Sequence, residues 1–304
     1  MEFAPPSFVE VAGRRLAYDE VRPAQPKGTI FLLTGLGSKR QGWRNQLPVF
    51  GKEYRTLALD FRDVGDSDRV DQPYTVADLA DDVAGMARAL NIPRVHVIGI
   101  SLGGYVAQNV ALRHSDQVEK LILVSTSAGG ATHVMPEASM FAVLGMEGVT
   151  GADARARFAY SRIMSPAFLG THPGVLDQIA EVAQYRAFTP ETYQRQLAAA
   201  LSQDVSAQVG SIIAPTLVIH GDADPLIPPG NGDYLARSIP GARHIVYHGV
   251  GHVPILECEE AFNRDVLAFL NEQDPLIAPA IATPHQKRPT KLWHWGRSDK
   301  RDSR

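Results

Sequence analysis

A single cysteine, Cys258, stands in 304 residues, so no disulfide can close within the chain and no cysteine-based zinc site can form. No apolar run approaches the roughly 18 residues that would read as a membrane span, and no stable membrane insertion is expected. The opening stretch MEFAPPSFVEVAG lacks both a positive start and an apolar centre. No secretory leader is therefore expected there, and with the scarcity of cysteine this points to a cytoplasmic location. Charge of one sign is scarce too: a formal net charge of −3 argues against a dedicated nucleic-acid binder. No internal repeat is evident. What remains is ample material for a core, since 44% of the residues are hydrophobic, enough for one large domain with an insertion or for two domains.

Strand-like and helix-like segments alternate along the chain. FVEVAG and RRLAYDEV have period-two or apolar character with no helix between them, and read as an antiparallel leading pair. TIFLLTG from Thr29, RTLALDF from Arg55, VHVIGI from Val95, EKLILV from Glu119, PTLVIHG from Pro215 and ARHIVYHGVGH from Ala242 read as further strands. Between them, TVADLADDVAGMARAL sets Val76, Leu79, Val83, Met86 and Leu90 at helical spacing, and AFNRDVLAFLNE closes as an amphipathic helix. The expected fold is α/β: a mostly parallel central sheet of about eight strands with helices on both faces. Residues 131–210 break the rhythm with helical patterns only, and read as a cap inserted into a core made of residues 1–130 and 211–275. Residues 276–304 carry seven Lys or Arg against two Asp, a formal +5, with prolines interrupting any period. They read as a solvated basic tail.

The segment VHVIGISLGGYVAQ begins as a buried strand and ends as a helix, with Ser101 at the junction and Gly99, Gly103 and Gly104 around it. Glycine near a first helical turn costs about 1 kcal/mol relative to alanine, so its presence there calls for a reason. A sharp strand-to-helix turn lifts the serine above the sheet edge and brings helix and strand so close that only hydrogen fits two residues to either side. Gly99 and Gly103 supply that space. The amide of Leu102 then stands at a helix N-terminus, where developing negative charge is stabilised. Taken alone the pattern is weak evidence, since alternate glycine, serine and glycine arise by chance in about one such sequence in ten.

A serine hydroxyl needs a base to take its proton, and the base needs a carboxylate to orient it. IHGDADPLIP offers Asp222 and Asp224 after the penultimate strand, and HGVGHVP offers His248 and His252 around the end of the last one. Together with LTGLGSKRQGW, these stretches make the chain similar to the α/β-hydrolase superfamily over residues 8–272. The resemblance implies Ser101 as nucleophile, Asp224 as acid and His252 as base. Asp222 is then a turn former, His248 a strand or surface residue, and His220 an ordinary strand-end histidine. It also implies a second oxyanion donor in the amide of Leu36, although Thr34 stands where the family usually has histidine. The charged loop DFRDVGDSD matches a family turn in which Arg62 and Asp63 have a structural role. Trp43 and the cap's Phe141, Phe158, Tyr160, Phe168, Tyr185 and Phe188 are candidates for an apolar substrate pocket, as are Met135, Met140 and Met164.

The expected activity is that of a serine esterase cleaving a small, largely apolar carboxylic ester without metal or organic cofactor. Lactones and the carbon–carbon bonds of diketones are neighbouring substrates for the same residues. Acyl transfer to an alcohol or thiol is a further reading, and Thr34 is the one feature pointing to a non-catalytic ligand-binding receptor. Nothing in the sequence speaks to oligomeric state.

Overall fold

The computed structural model describes residues 5–146 and 148–271, so the basic segment 276–304 lies outside the described residues. Eight strands form one sheet: β1 (Ser7–Val11), β2 (Arg14–Val21), β3 (Thr29–Leu33), β4 (Arg55–Leu59), β5 (Val95–Ile100), β6 (Val118–Val124), β7 (Thr216–Gly221) and β8 (Arg243–Tyr247). Their order is β1-β2-β4-β3-β5-β6-β7-β8. The first two pairings, β1 with β2 and β2 with β4, are antiparallel, and the rest are parallel. β1 and β2 form a hairpin because Ala12 and Gly13 both take positive φ, 49° and 76°, the twist-matched geometry of a two-residue turn.

Near-continuous apolar strands are explained by burial on both faces. In β3, Phe31 and Leu33 join one core while Ile30 and Leu32 join the other, and β6 divides in the same way. The first core packs against α2 (Val76–Ala89) and α3 (Leu102–Arg113); the second packs against α1 (Gln46–Phe50) and α11 (Glu259–Leu270). Each fully buried Leu, Ile or Phe contributes about 1.5–3 kcal/mol of transfer free energy. α2 starts where the sequence provides a cap: the Thr75 hydroxyl accepts from the Asp78 amide at 3.2 Å and the Asp78 carboxylate accepts from the Thr75 amide at 2.8 Å.

Five helices lie between β6 and β7: α4 (Ser139–Gly145), α5 (Ala152–Ile163), α6 (Pro166–Thr171), α7 (Val175–Gln184) and α8 (Pro190–Leu201). After β7 come α9 (Gly230–Ser238), β8 and α10 (Pro254–Glu257). The last strand is shorter than its sequence pattern. It ends at Tyr247 because the Asp222 carboxylate accepts from the Gly249 amide at 2.7 Å and from His248 Nδ1 at 2.8 Å, turning the chain out of the sheet. His248 is therefore an exposed turn residue. Among the described residues no helix is long and apolar enough to cross a membrane.

Candidate active site

Ser101 sits between β5 and α3 with φ 54° and ψ −118°, a conformation costing a non-glycine residue about 1–3 kcal/mol. The neighbouring packing enforces it. A Cβ on Gly99 would fall on the Gly103 carbonyl, one on Gly103 would fall on the Leu33 carbonyl, and one on Gly104 would lie 2.6 Å from the Thr126 side chain. The sheet holds the turn from the other side, since the Ser101 amide donates to Val124 O at 2.9 Å and Thr126 Oγ1 donates to Ser101 O at 2.9 Å.

Asp224 follows β7 and is buried, as is His252 in the loop after β8. His252 Nδ1 lies 2.8 Å from Asp224 Oδ2. The second carboxylate oxygen accepts from the amides of Leu226 at 2.9 Å and Ile227 at 3.0 Å. Burial by itself would raise the Asp224 pKa, but the charge of His252 and hydrogen bonds from His220 and His252 outweigh it and hold the group down at about 2. An ionised carboxylate only accepts, so Nδ1 carries the proton and Nε2 is the ring nitrogen left for a substrate or nucleophile.

Ser101 and His252 line one cavity of about 170 Å³, although no hydrogen bond joins the serine hydroxyl to the imidazole among the described residues. The same cavity is lined by Thr34, Gly35 and Leu36. The amides of Leu36 and Leu102 donate to no other described residue; Leu102 follows the serine in the chain, and Gly35, which precedes Leu36, packs against it, a Cβ there lying 3.4 Å from the serine Cβ. Thr34 is buried, and its hydroxyl makes only a long 3.5 Å contact with Ser38 O. The loop is held elsewhere: the Gly37 amide donates to Gln196 Oε1 at 2.8 Å and the Arg40 amide donates to Asp60 Oδ1 at 2.8 Å.

Of the apolar candidates, the structure puts Trp43, Tyr160 and Phe188 on this cavity and leaves the others off it. Met135 is exposed and borders a separate hollow with Met140, Asp224 and Pro228, and Phe141 is exposed as well. Phe158 packs under the Arg162 guanidinium, 3.9 Å from its carbon. The reason is helical phase. α5 turns Ala152, Arg155, Ala156, Ala159, Tyr160 and Ile163 to the cavity, and Phe158 lies about 200° from Ala156 around the helix; Phe141 stands in the same relation to Val143 on α4.

Several residues acting on the site carried no clear signal. Glu257, the last residue of GVGHVPILE, accepts from the amides of Gly251 at 2.9 Å and Val253 at 3.0 Å, one on each side of His252. Its carboxylate also accepts from the Ser165 amide at 2.8 Å, while the His252 amide donates to Ile163 O at 2.8 Å. His220 is fully buried, donates from Nε2 to Ile227 O at 2.8 Å and stands 3.4 Å from Asp224 Oδ2. Gln196 of α8 and Lys39 complete the set, the first holding the Gly37 amide of the loop after β3 and the second standing on the cavity wall. Arg62 and Asp63 take structural contacts: Arg62 pairs with Asp82 at 2.6 Å, and Asp63 accepts from Arg195 and Thr192 of α8. Among the described residues no group of three or more His, Cys, Asp or Glu side chains is spaced to hold a metal ion.

Comparison with known proteins agrees with this architecture. The α/β hydrolase fold family matches residues 28–258. The chain is 30% identical over 256 residues to a 2-hydroxy-6-oxononadienedioate/2-hydroxy-6-oxononatrienedioate hydrolase of Cupriavidus pinatubonensis, covering 80% of this chain and 86% of the relative. It is 30% identical over 235 residues to the pimeloyl-(acyl-carrier protein) methyl ester esterase of Neisseria meningitidis, covering 77% and 89%. Among solved structures, the enol-lactonase from Burkholderia xenovorans LB400 superposes with a TM-score of 0.77 at 29% identity, over 87% of this chain and 100% of that one. With its parallel sheet, its serine between strand and helix, and this match over most of its length, the chain belongs to the α/β hydrolase fold family.

Proposed function

We propose that the chain is a serine hydrolase that cleaves a small carboxylic ester with a largely apolar body, using Ser101, His252 and Asp224. The observation that carries this reading is the 2.8 Å pair of His252 and Asp224 opening onto the cavity that Ser101 lines. In the first half-reaction the Ser101 proton passes to His252 Nε2 as Oγ bonds to the carbonyl carbon. The carbonyl electron pair moves onto oxygen, where the amides of Leu36 and Leu102 stabilise it. Collapse expels the alcohol, which takes the proton from His252 and leaves an acyl-serine. Water then repeats the cycle: His252 accepts its proton, hydroxide adds to the acyl carbon, and the acid leaves as Ser101 regains its proton. A lactone is an internal ester and follows the same steps, in keeping with the similarity to an enol-lactonase.

In this reading the α4–α8 insertion acts as a cap, because the cavity is walled both by strand-end loops and by residues of α5, α7 and α8. The volume is below the range of about 300–1,000 Å³ usual for drug-sized ligands, which favours small substrates. Purified protein is expected to hydrolyse p-nitrophenyl acetate and butyrate, and Ser101→Ala to lower kcat by about 10⁶-fold. Equal rates in parent and variant would discard the reading. A chain-length panel would then size the cavity.

A further inference from the structure

The cavity wall is mostly apolar, yet its charged members are all of one sign. Lys39, Arg44 and Arg155 line it, and no Asp or Glu does. Arg44 is balanced by the nearby charges of Glu181 and Glu259. Lys39 feels the charges of Asp60 and Asp66, but both of those carboxylates are paired elsewhere. Lys39 is only 3% exposed, and among the described residues no carboxylate lies within ion-pair distance of it. Its ammonium donates to Ala183 O at 3.1 Å and stands 5.6 Å from the centre of the Phe188 ring; Ala183 and Phe188 both line the cavity. Arg155 donates from Nε to Val149 O at 3.0 Å, and it too has no carboxylate partner among the described residues.

Helix capping accounts for only part of this. An ammonium has three donors, and the α7 carbonyl takes one. The carboxylates nearest in effect, Asp60 and Asp66, already pair with Arg40, and Asp66 also accepts from Tyr185 and Arg186. Burial therefore dominates: opposed by Asp60 and Asp66 and reinforced by Arg69 and Arg40, it brings the Lys39 pKa down to about 8. A buried cation without a counter-ion is costly, and a bound anion would relieve that cost.

We propose that Lys39, with Arg155 as a second cation on the same wall, forms a carboxylate subsite, so that the ester taken into this cavity carries a second, ionised carboxylate. This rests on the hydrolase reading of Ser101 given above. The substrate class is then the half-ester or lactone of a short dicarboxylic acid: an apolar chain, a reactive carbonyl near Ser101 and an anion at the lysine.

The test compares matched pairs: monomethyl esters of the four- to eight-carbon dicarboxylic acids against methyl esters of the monocarboxylic acids of the same length. The best half-ester is expected to exceed its neutral partner at least tenfold in kcat/KM at pH 7. Lys39→Met should remove that preference, with the loss on the half-ester appearing in KM and exceeding any loss on the neutral ester, and Lys39→Arg should restore most of it. The preference should also fade as the pH rises through about 8, where the ammonium loses its proton. Neutral turnover with no preference for any half-ester, or an equal loss on both substrates in Lys39→Met, would overturn the proposal while leaving the Ser101 reading intact. If neither ester is turned over, calorimetric titration of the unsubstituted protein with adipate and with hexanoate decides the subsite without chemistry. Tighter binding of adipate supports it, and equal or absent binding refutes it. The same titration serves if Lys39→Met does not fold.

Discussion

The elbow around Ser101 and the α4–α8 insertion above it are held in place by different forces. At the elbow, main chain meets main chain: the Gly99 and Gly103 hydrogens face carbonyls of neighbouring segments, and the strand ladder fixes everything beneath. The insertion is tied down by side chains. Tyr185 and Arg186 reach Asp66, both at 2.8 Å, Arg195 and Thr192 reach Asp63, and Gln196 reaches the Gly37 amide. The first kind of contact tolerates almost no substitution, because backbone cannot step aside; the second can be lost or remade one pair at a time. Ser101 thus stands on the rigid part, and the α4–α8 wall of its cavity hangs on the adjustable part.

Gly103→Val strikes hardest at this contrast. Its side chain would collide with the Leu33 and Thr34 carbonyls, and about 3 kcal/mol of stability should be lost, read as a lower urea midpoint. A variant as stable as the parent would show that the elbow is as compliant as the insertion.

Acid separates the two regions less sharply. The Asp224 carboxyl is held at about 2 against an ordinary 3.8. A carboxylate with a depressed pKa stabilises the fold above its unfolded value and loses that contribution as pH falls through the folded one. Between about pH 4 and 2 the protein should therefore lose on the order of 2 kcal/mol through this group. Asp66 adds to the same limb: burial raises it, but hydrogen bonds from Tyr185 and Arg40 with the Arg40 charge lower it further. Urea titrations at stepped pH should show the Asp224→Asn variant with a shallower acid slope, and an unchanged slope would remove Asp224 from the account.

Gln196→Ala is the mildest perturbation and the most informative about coupling between the two regions. It frees the Gly37 amide next to Leu36 without touching the cavity's charge. The expected result is about a tenfold fall in kcat with KM and melting temperature nearly unchanged, the mark of a residue that positions an oxyanion donor. A change in KM alone would assign Gln196 to the cavity wall.

Legibility in the sequence followed the same division. The strands were readable because burial on both faces makes each a continuous apolar run, Ser101 because it stands in a tight strand-to-helix turn among glycines, and Asp224 and His252 through resemblance of the loops that follow the last two strands. The insertion was legible as helices and little more. Aromatic residues there drew attention by size, and Tyr160 and Phe188 do line the cavity, but Phe141 and Phe158 do not, while the smaller Ala156, Ala159 and Val143 that share the inward helical phase do. Lys39 read as one charge among several in GLGSKRQGWR, with nothing local to mark it as buried.

By itself the sequence determined the alternation of elements, the tight turn at Ser101 and the placing of Asp224 and His252 in the loops that follow the last two strands. These rest on local chemistry: side-chain period, backbone sterics and turn residues within a few positions of one another. Only the tertiary structure decided that Asp224 and His252, 28 residues apart, lie 2.8 Å from each other, that Gln196 holds a loop 159 residues away, and that Lys39 meets Ala183 beside the cavity. Those contacts join segments distant along the chain, and their existence depends on how helices pack over the sheet rather than on any residue's immediate neighbours.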